Sequence, residues 1–155
     1  MTPDEKRFEQ FLAEFEPEMA ALGRAAVARL RKMLPSADVM IYDNYNFLVT
    51  GLSPSDRPSD AVLSVALSAR SVALCFLQGA ALPDPSRILR GSGKAVRNIR
   101  LQSEEDFGRS EVAILIDLAI MNARVPFDHG RKGTLYVKSV SAKKRPRRLA
   151  APRRA

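Results

Sequence analysis

The spacing of apolar residues changes near residue 38 from a helical to a strand period, and this change constrains the fold more than any other feature. The segment from Thr2 to Glu5 combines a capping residue, a proline and an acid three residues after the cap, so a helix is expected to begin there. Apolar residues then recur every three or four positions up to Pro35, which predicts a helical pair or one kinked helix. From Val39 to Leu77 the period approaches two and β-branched residues are common. Four strands of an antiparallel meander are expected at 39–42, 47–50, 61–68 and 72–77, with the last of them central in the sheet because it is apolar throughout.

The second half of the chain adds elements of both kinds. A fifth strand is expected from Ala95 to Leu101, and residues 134–140 fit an edge strand or a docking segment. Between them, Ser110 and Glu111 begin a strongly apolar stretch that ends at Met121, which predicts a helix buried around most of its circumference. These elements together predict an α+β domain with a five- to six-stranded antiparallel sheet packed on N-terminal and C-terminal helices.

Charge divides the chain into two unequal parts. The net charge is +8, yet residues 1–130 carry −2 and residues 131–155 carry +10, because every acidic residue lies at or before Asp128. We therefore expect a folded domain at 1–130 and a basic extension at 131–155. Beyond Ser141 the lysine, arginine, proline and alanine content predicts a disordered tail. Such a tail is typical of electrostatic binding to nucleic acid or to an acidic protein, through Lys143, Lys144, Arg145, Arg147 and Arg148.

Several features bear on the compartment. Residues 1–8 are charged where a signal peptide needs an apolar core, and no apolar run approaches the roughly 20 residues of a spanning helix. The single cysteine, Cys75, lies in an apolar stretch, which fits a buried thiol in a reducing compartment. A cytoplasmic protein without a membrane partner is expected.

A basic cluster surrounds the glycine-rich segment from Gly91 to Lys94. This segment lacks the spacing of a nucleotide P-loop, because Ile88 stands where the first glycine is required and Ala95 follows the lysine. Five cations and no acid nevertheless lie between residues 87 and 100, and a two-glycine turn beside them could hold an anion. The candidate residues are Arg90, Ser92, Lys94 and Arg97, and the alternative is a solvated basic face.

The string from Tyr42 to Asn46 places two tyrosines and three Asx residues between apolar runs. A tight turn explains the Asx residues, but it does not require the tyrosines. If strand alternation continues through the string, Tyr42, Asn44 and Asn46 point the same way and could form the wall of a polar pocket.

Recognisable catalytic and metal-binding patterns are sparse. His129 is the only histidine, and no Ser/His/Asp order or cysteine pair is present, so no catalytic residue is identified and an enzyme is the less expected class. If the protein is an enzyme, Tyr42, Asp43 or Lys94 would move the proton. Asp4, Glu5 and Glu9 could hold a hard cation weakly on the first helix, although a solvated helix face explains the same pattern.

Four strings resemble the YdhG-like domain family, which is catalogued as a domain of unknown function. They are Met33-Leu34-Pro35, residues 42–47, residues 72–79 and residues 89–97, and the likeness spans about 90 residues from Arg29 to Met121. The resemblance implies a two-layer sandwich of terminal helices on an antiparallel sheet. It also implies frataxin-like iron binding by surface carboxylates, because one member of the family is described as an iron chaperone.

Two functions are therefore predicted. The leading hypothesis is a non-enzymatic binding module without a cofactor, whose sheet and basic turn hold a small anionic or polar ligand while the tail attracts nucleic acid or an acidic protein. The alternative is an intracellular iron-binding protein that uses Asp4, Glu5 and Glu9.

Overall fold

A computed structural model describes residues 1–149, and over that range the chain forms three α-helices and six β-strands. In chain order they are α1 (Pro3–Leu12), α2 (Pro17–Met33), β1 (Asp38–Asp43), β2 (Leu48–Ser53), β3 (Leu63–Leu67), β4 (Val72–Phe76), β5 (Arg97–Leu101), α3 (Ser110–Met121) and β6 (Leu135–Val140). Short 3₁₀ turns lie at Pro58–Asp60, Gly79–Ala81 and Glu104–Gly108. The predicted α+β class is confirmed, because helices pack on a six-stranded sheet. No described helix is both long and apolar enough to cross a membrane.

The N-terminal helices are a pair rather than one kinked helix. The Thr2 hydroxyl accepts a hydrogen bond from the Glu5 N–H at 3.1 Å, and the Glu5 carboxylate accepts one from the Thr2 N–H at 2.9 Å. This reciprocal cap satisfies two N–H groups that have no partner within the helix. Four residues then separate α1 from α2, which begins with Pro17 in its first turn.

The strand order is β5-β4-β3-β2-β1-β6. The first five strands form the expected antiparallel meander, but β6 pairs with β1 in parallel, so the prediction of a wholly antiparallel sheet is wrong at this edge. The chain crosses the sheet after α3 and enters β6 beside the beginning of β1, where the Gly133 N–H donates to the Pro35 carbonyl at 3.2 Å. Strand β4 lies inside the sheet, one position from the β5 edge rather than at its centre.

One face of the sheet forms the core with the helices. Leu12 and Leu30 from the helices meet Leu63, Leu67 and Leu74 from the sheet, and all five side chains are fully buried. Each leucine buried in this way stabilises the fold by about 1.5–3 kcal/mol. A Cβ at Gly23 would lie 2.5 Å from a Leu67 methyl, so the glycine allows α2 to approach β3 closely.

Helix α3 differs from its prediction. Val112, Leu115 and Ile116 are buried, whereas Ile114 is 57% exposed and Met121 is 77% exposed. The expectation of burial around most of the circumference is therefore wrong, because α3 turns a single face to the core.

The opposite face of the sheet carries smaller side chains. Ser64 and Cys75 are paired across β3 and β4 on this face, and Tyr42 lies half-buried on β1. Cys75 is half-buried rather than buried as expected, and desolvation raises the pKa of its thiol, which favours the protonated form.

Candidate functional site

The predicted anion site is split between two distant strands. Tyr42 lies on β1 and Arg97 on β5, with three strands between them. At about 4.8 Å per strand, roughly 19 Å separates the two strands. The Tyr42 hydroxyl contacts the Met40 sulfur at 3.7 Å, while Asn44 and Asn46 are exposed in the turn that follows β1. The Tyr42 group and the Arg90–Arg97 group therefore do not form one pocket.

The basic cluster forms a loop and the adjoining edge of the sheet. Arg90 exchanges two backbone hydrogen bonds with Asn98 of β5, at 2.8 and 2.9 Å. The Arg97 guanidinium donates to the carbonyls of Gly93 and Val96, at 2.6 and 2.8 Å. Its charge thus stabilises the loop, while Ser92 and Lys94 are exposed to solvent.

The three candidate metal ligands have other partners. Glu9 accepts hydrogen bonds from the Arg24 guanidinium at 2.7 to 3.1 Å, and these bonds lower the pKa of the Glu9 carboxyl. Asp4 accepts from the Val137 N–H at 3.1 Å on the outer edge of β6, and Glu5 caps α1. Within residues 1–149, no group of three or more His, Cys, Asp or Glu side chains is arranged to hold a metal ion.

The basic tail is placed on the domain over residues 141–149, which we call the C-terminal segment. The Ser141 N–H donates to the Asp43 carbonyl at 2.7 Å, and the Arg145 N–H donates to the Tyr45 carbonyl at 2.9 Å. This differs from the predicted disorder beyond Ser141. The composition of the segment shows its positive charges, but it does not show which carboxylates of the folded domain lie next to them. Residues 150–155 lie outside the described part of the chain.

A buried carboxylate holds this segment in place. Asp43 is 0% exposed at the end of β1, and its oxygens lie 2.5 Å from the Lys144 ammonium and 2.8 Å from the Arg147 guanidinium. Arg147 is only 6% exposed, and its guanidinium carbon lies 5.0 Å from the centre of the Phe15 ring. The same guanidinium donates to the Asn44 carbonyl at 2.8 Å.

Lys144 and Arg148 extend the attachment to the helices. Burial alone would lower the pKa of Lys144, but hydrogen bonds from its ammonium to Asp43 and Glu14 outweigh this effect and raise the pKa. Arg148 lies 3.8 Å from Glu16 and donates to the Ala13 carbonyl at 3.2 Å. Three of the five predicted tail cations are thus ion-paired with the domain.

One of the remaining two cations, Arg145, adjoins an exposed aromatic ring. Tyr45 is 48% exposed and Phe47 is 43% exposed in the turn between β1 and β2, which closes with a 2.9 Å hydrogen bond from the Asn44 N–H to the Phe47 carbonyl. The Arg145 guanidinium lies 5.8 Å from the centre of the Tyr45 ring, and Lys143 is exposed on the same segment. We call Tyr45, Phe47, Lys143 and Arg145 the aromatic–basic surface.

The sequence analysis pointed to both the turn and the tail, but in the turn it selected side chains other than the two exposed rings. It extended strand alternation through the string and selected Tyr42, Asn44 and Asn46. Strand β1 ends at Asp43, so alternation does not apply beyond that residue. The sequence feature that indicated the exposed rings was the presence of aromatic residues in the turn, because the geometry of a turn does not require them.

Comparisons with known proteins give no relative. No protein-family model matches the chain, and no curated protein or solved structure matches it either. The resemblance to the YdhG-like family stays a prediction.

The aromatic–basic surface offers two kinds of interaction. An exposed ring can stack on a planar group, and an arginine above it contributes a cation that is attracted to the ring face. Arg145 supplies hydrogen-bond donors and positive charge beside the Tyr45 ring, and Lys143 adds a second exposed cation on the same segment. Together these groups suit a ligand that has both flat apolar faces and negative charges.

Proposed function

We propose that this protein is a binding module that takes single-stranded nucleic acid on the aromatic–basic surface. The observation that carries the proposal is the pair of exposed rings, Tyr45 and Phe47, in one turn, with the Arg145 guanidinium 5.8 Å from the centre of the Tyr45 ring. Proteins that bind single strands combine aromatic platforms for the bases with positive charge for the phosphates. The expected binding is salt-dependent and tolerant of sequence, because every base has a stacking face.

The charge balance around the rings supports this assignment. Asp43, Glu14 and Glu16 compensate Lys144, Arg147 and Arg148. Within the described residues, Lys143 and Arg145 have no carboxylate within 4.0 Å, so positive charge remains next to the turn. The sequence adds two more arginines at positions 153 and 154. An acidic protein would use the cations but would leave the exposed rings without a planar partner, so nucleic acid is favoured.

Fluorescence anisotropy with a labelled oligouridine tests the proposal in the full-length protein. Tyr45→Ala should weaken binding by about 1–3 kcal/mol for the base it stacks. Replacing Lys143 and Arg145 by alanine should also weaken binding, and should reduce the slope of log affinity against log salt by about 0.7 per cation. Point variants are preferred to truncation, because a chain ending before β6 would lose the strand that pairs with β1 as well as both cations of Asp43.

The matched control removes the same charge elsewhere. Arg87 and Lys94 are exposed near β5, and their double alanine variant should keep oligouridine affinity close to that of the wild type. If both double variants lose the same affinity for oligouridine and Tyr45→Ala has no effect, a defined binding surface is refuted. Only non-specific charge attraction would then remain. A different result would assign the surface to an acidic protein instead. In that case polyglutamate binds equally well to the wild type and to Tyr45→Ala, and oligouridine does not bind.

A further inference from the structure

A separate pocket lies at the other end of the sheet from the aromatic–basic surface. It opens between the two 3₁₀ turns at 58–60 and 79–81 and the C-terminal end of α3, with a volume of about 510 Å³. Val62, Phe76 and Leu82 form apolar walls, and small alanines leave the space open. Pockets of about 300–1,000 Å³ with apolar walls and few polar groups are typical of small-molecule sites.

The buried polar group of this pocket is a carboxylate. The side chain of Asp60 is only 3% exposed, and it accepts a hydrogen bond from the Ser55 hydroxyl at 2.7 Å and one from the Arg124 guanidinium at 3.2 Å. The hydrogen bond from Ser55 lowers the pKa of Asp60 against the opposing effect of burial, and the hydrogen bond from Arg124 lowers it further, so the group is ionised near neutral pH.

The end of α3 adds to this negative charge. Ala119 and Asn122 line the pocket at the C-terminus of the helix. The last carbonyls of a helix carry partial negative charge and favour cations. The carboxylate and the helix terminus therefore act in the same direction on any bound group.

Arg124, which also lines the pocket, is the cation that now meets this charge. Its side chain is 78% exposed, and one guanidinium nitrogen reaches the Asp60 carboxylate at 3.2 Å. Because the Arg124 side chain is mostly exposed, water can replace its contact, so a cation inside the pocket can take its place on Asp60.

We propose that this pocket binds a small organic cation, a protonated amine with an apolar body, with its ammonium on Asp60 and its body against Val62, Phe76 and Leu82. A ligand anion would instead meet a buried carboxylate and a helix C-terminus, and the one cation among the lining residues, Arg124, is already paired with Asp60. This site is independent of the aromatic–basic surface, which shares none of its residues.

Three probes with the same apolar body and different charge test the inference: hexylamine, hexanol and hexanoate. We expect hexylamine to bind the full-length protein with millimolar or better affinity and at least about tenfold more tightly than hexanoate, as measured by isothermal titration calorimetry at neutral pH. Hexanol should fall between them. Equal or tighter binding of hexanoate, or no binding of hexylamine up to about 10 mM, would overturn the assignment.

Variants separate the charge from the cavity. Asp60→Asn should abolish the preference for hexylamine over hexanol, and retained hexanol binding shows that the pocket is still formed. Arg124→Gln should strengthen hexylamine binding because it removes the competing cation, and Ala123→Phe should block all three probes by filling the pocket. Loss of hexylamine binding in Arg124→Gln would contradict the proposal, and this outcome does not depend on the folding of the Asp60 variant.

Discussion

Replacing Arg147 by methionine should destabilise the whole domain, although this residue lies in a segment that composition predicts to be disordered. Methionine keeps an unbranched apolar chain against Phe15 and removes the charge. Asp43, which is 0% exposed, then keeps only Lys144 as its cation, and the Asn44 carbonyl loses its donor. A buried carboxylate that loses a partner cannot recover the lost interaction from water.

The size of the effect follows from this geometry. Removing one partner from a buried ion pair costs about 3–5 kcal/mol. Because Lys144 remains 2.5 Å from Asp43, we expect the lower end of this range, about 3 kcal/mol. For a domain of this length, such a loss lowers the melting temperature by roughly 6–12 °C. Urea unfolding followed by far-ultraviolet circular dichroism measures the change in the free energy of unfolding.

Arg148→Met is the matched control. The Arg148 side chain is 52% exposed and lies 3.8 Å from Glu16, so its ion pair should contribute less than about 1 kcal/mol. The reasoning is refuted if the two variants unfold with free energies that differ by less than about 0.5 kcal/mol. A double-mutant cycle of Arg147→Met with Asp43→Asn provides a second check, because the argument requires a coupling energy well above zero.

Two further predictions concern the edge where β6 joins the sheet. Gly133→Ala should destabilise the fold by about 3 kcal/mol or more in the same urea assay, because its Cβ would overlap the backbone of Ala37. Gly93→Ala is the control, because a Cβ there meets open space, and it should change the free energy of unfolding by less than about 0.5 kcal/mol. For Asp38, burial alone would raise the pKa, but hydrogen bonds from Arg131 and from a backbone N–H lower it. The stabilisation by Asp38 is therefore present above its unfolded-state pKa of about 3.9 and is lost as the pH falls through the lower folded-state pKa. Asp38→Asn should flatten the fall in urea midpoint between about pH 5 and about pH 2, and an unchanged slope would contradict the assignment.

The attachment of the C-terminal segment connects stability to the proposed function. Asp43 holds Lys144 and Arg147, and the segment between them presents Arg145 to the Tyr45 ring. A cation fixed beside a ring loses less conformational freedom on binding than one in a free tail. Weakening the ion pairs of Asp43 with Lys144 and Arg147 should therefore lower the affinity for nucleic acid as well as the free energy of unfolding.

Local elements could be predicted from the sequence because their causes are local. The Thr2 and Glu5 cap, the proline that begins α2 and the alternation at 63–67 act within a few residues of one another. The charge of the tail and the unusual string after Tyr42 could also be recognised in this way. Their positions in space could not, because each depends on a partner that is distant along the chain.

The sequence by itself determined the α+β class, the strands of the meander and the uneven distribution of charge. Tertiary structure decided that β6 lies parallel to β1, that the Tyr42 and Arg97 groups are strands apart, and that the basic segment is attached to the domain. The hydrogen bond between Lys144 and Asp43 joins residues 101 positions apart, and its strength depends on the burial of Asp43. Composition cannot record such an interaction, since the low-dielectric site that gives a charge pair its energy exists only once the chain has folded.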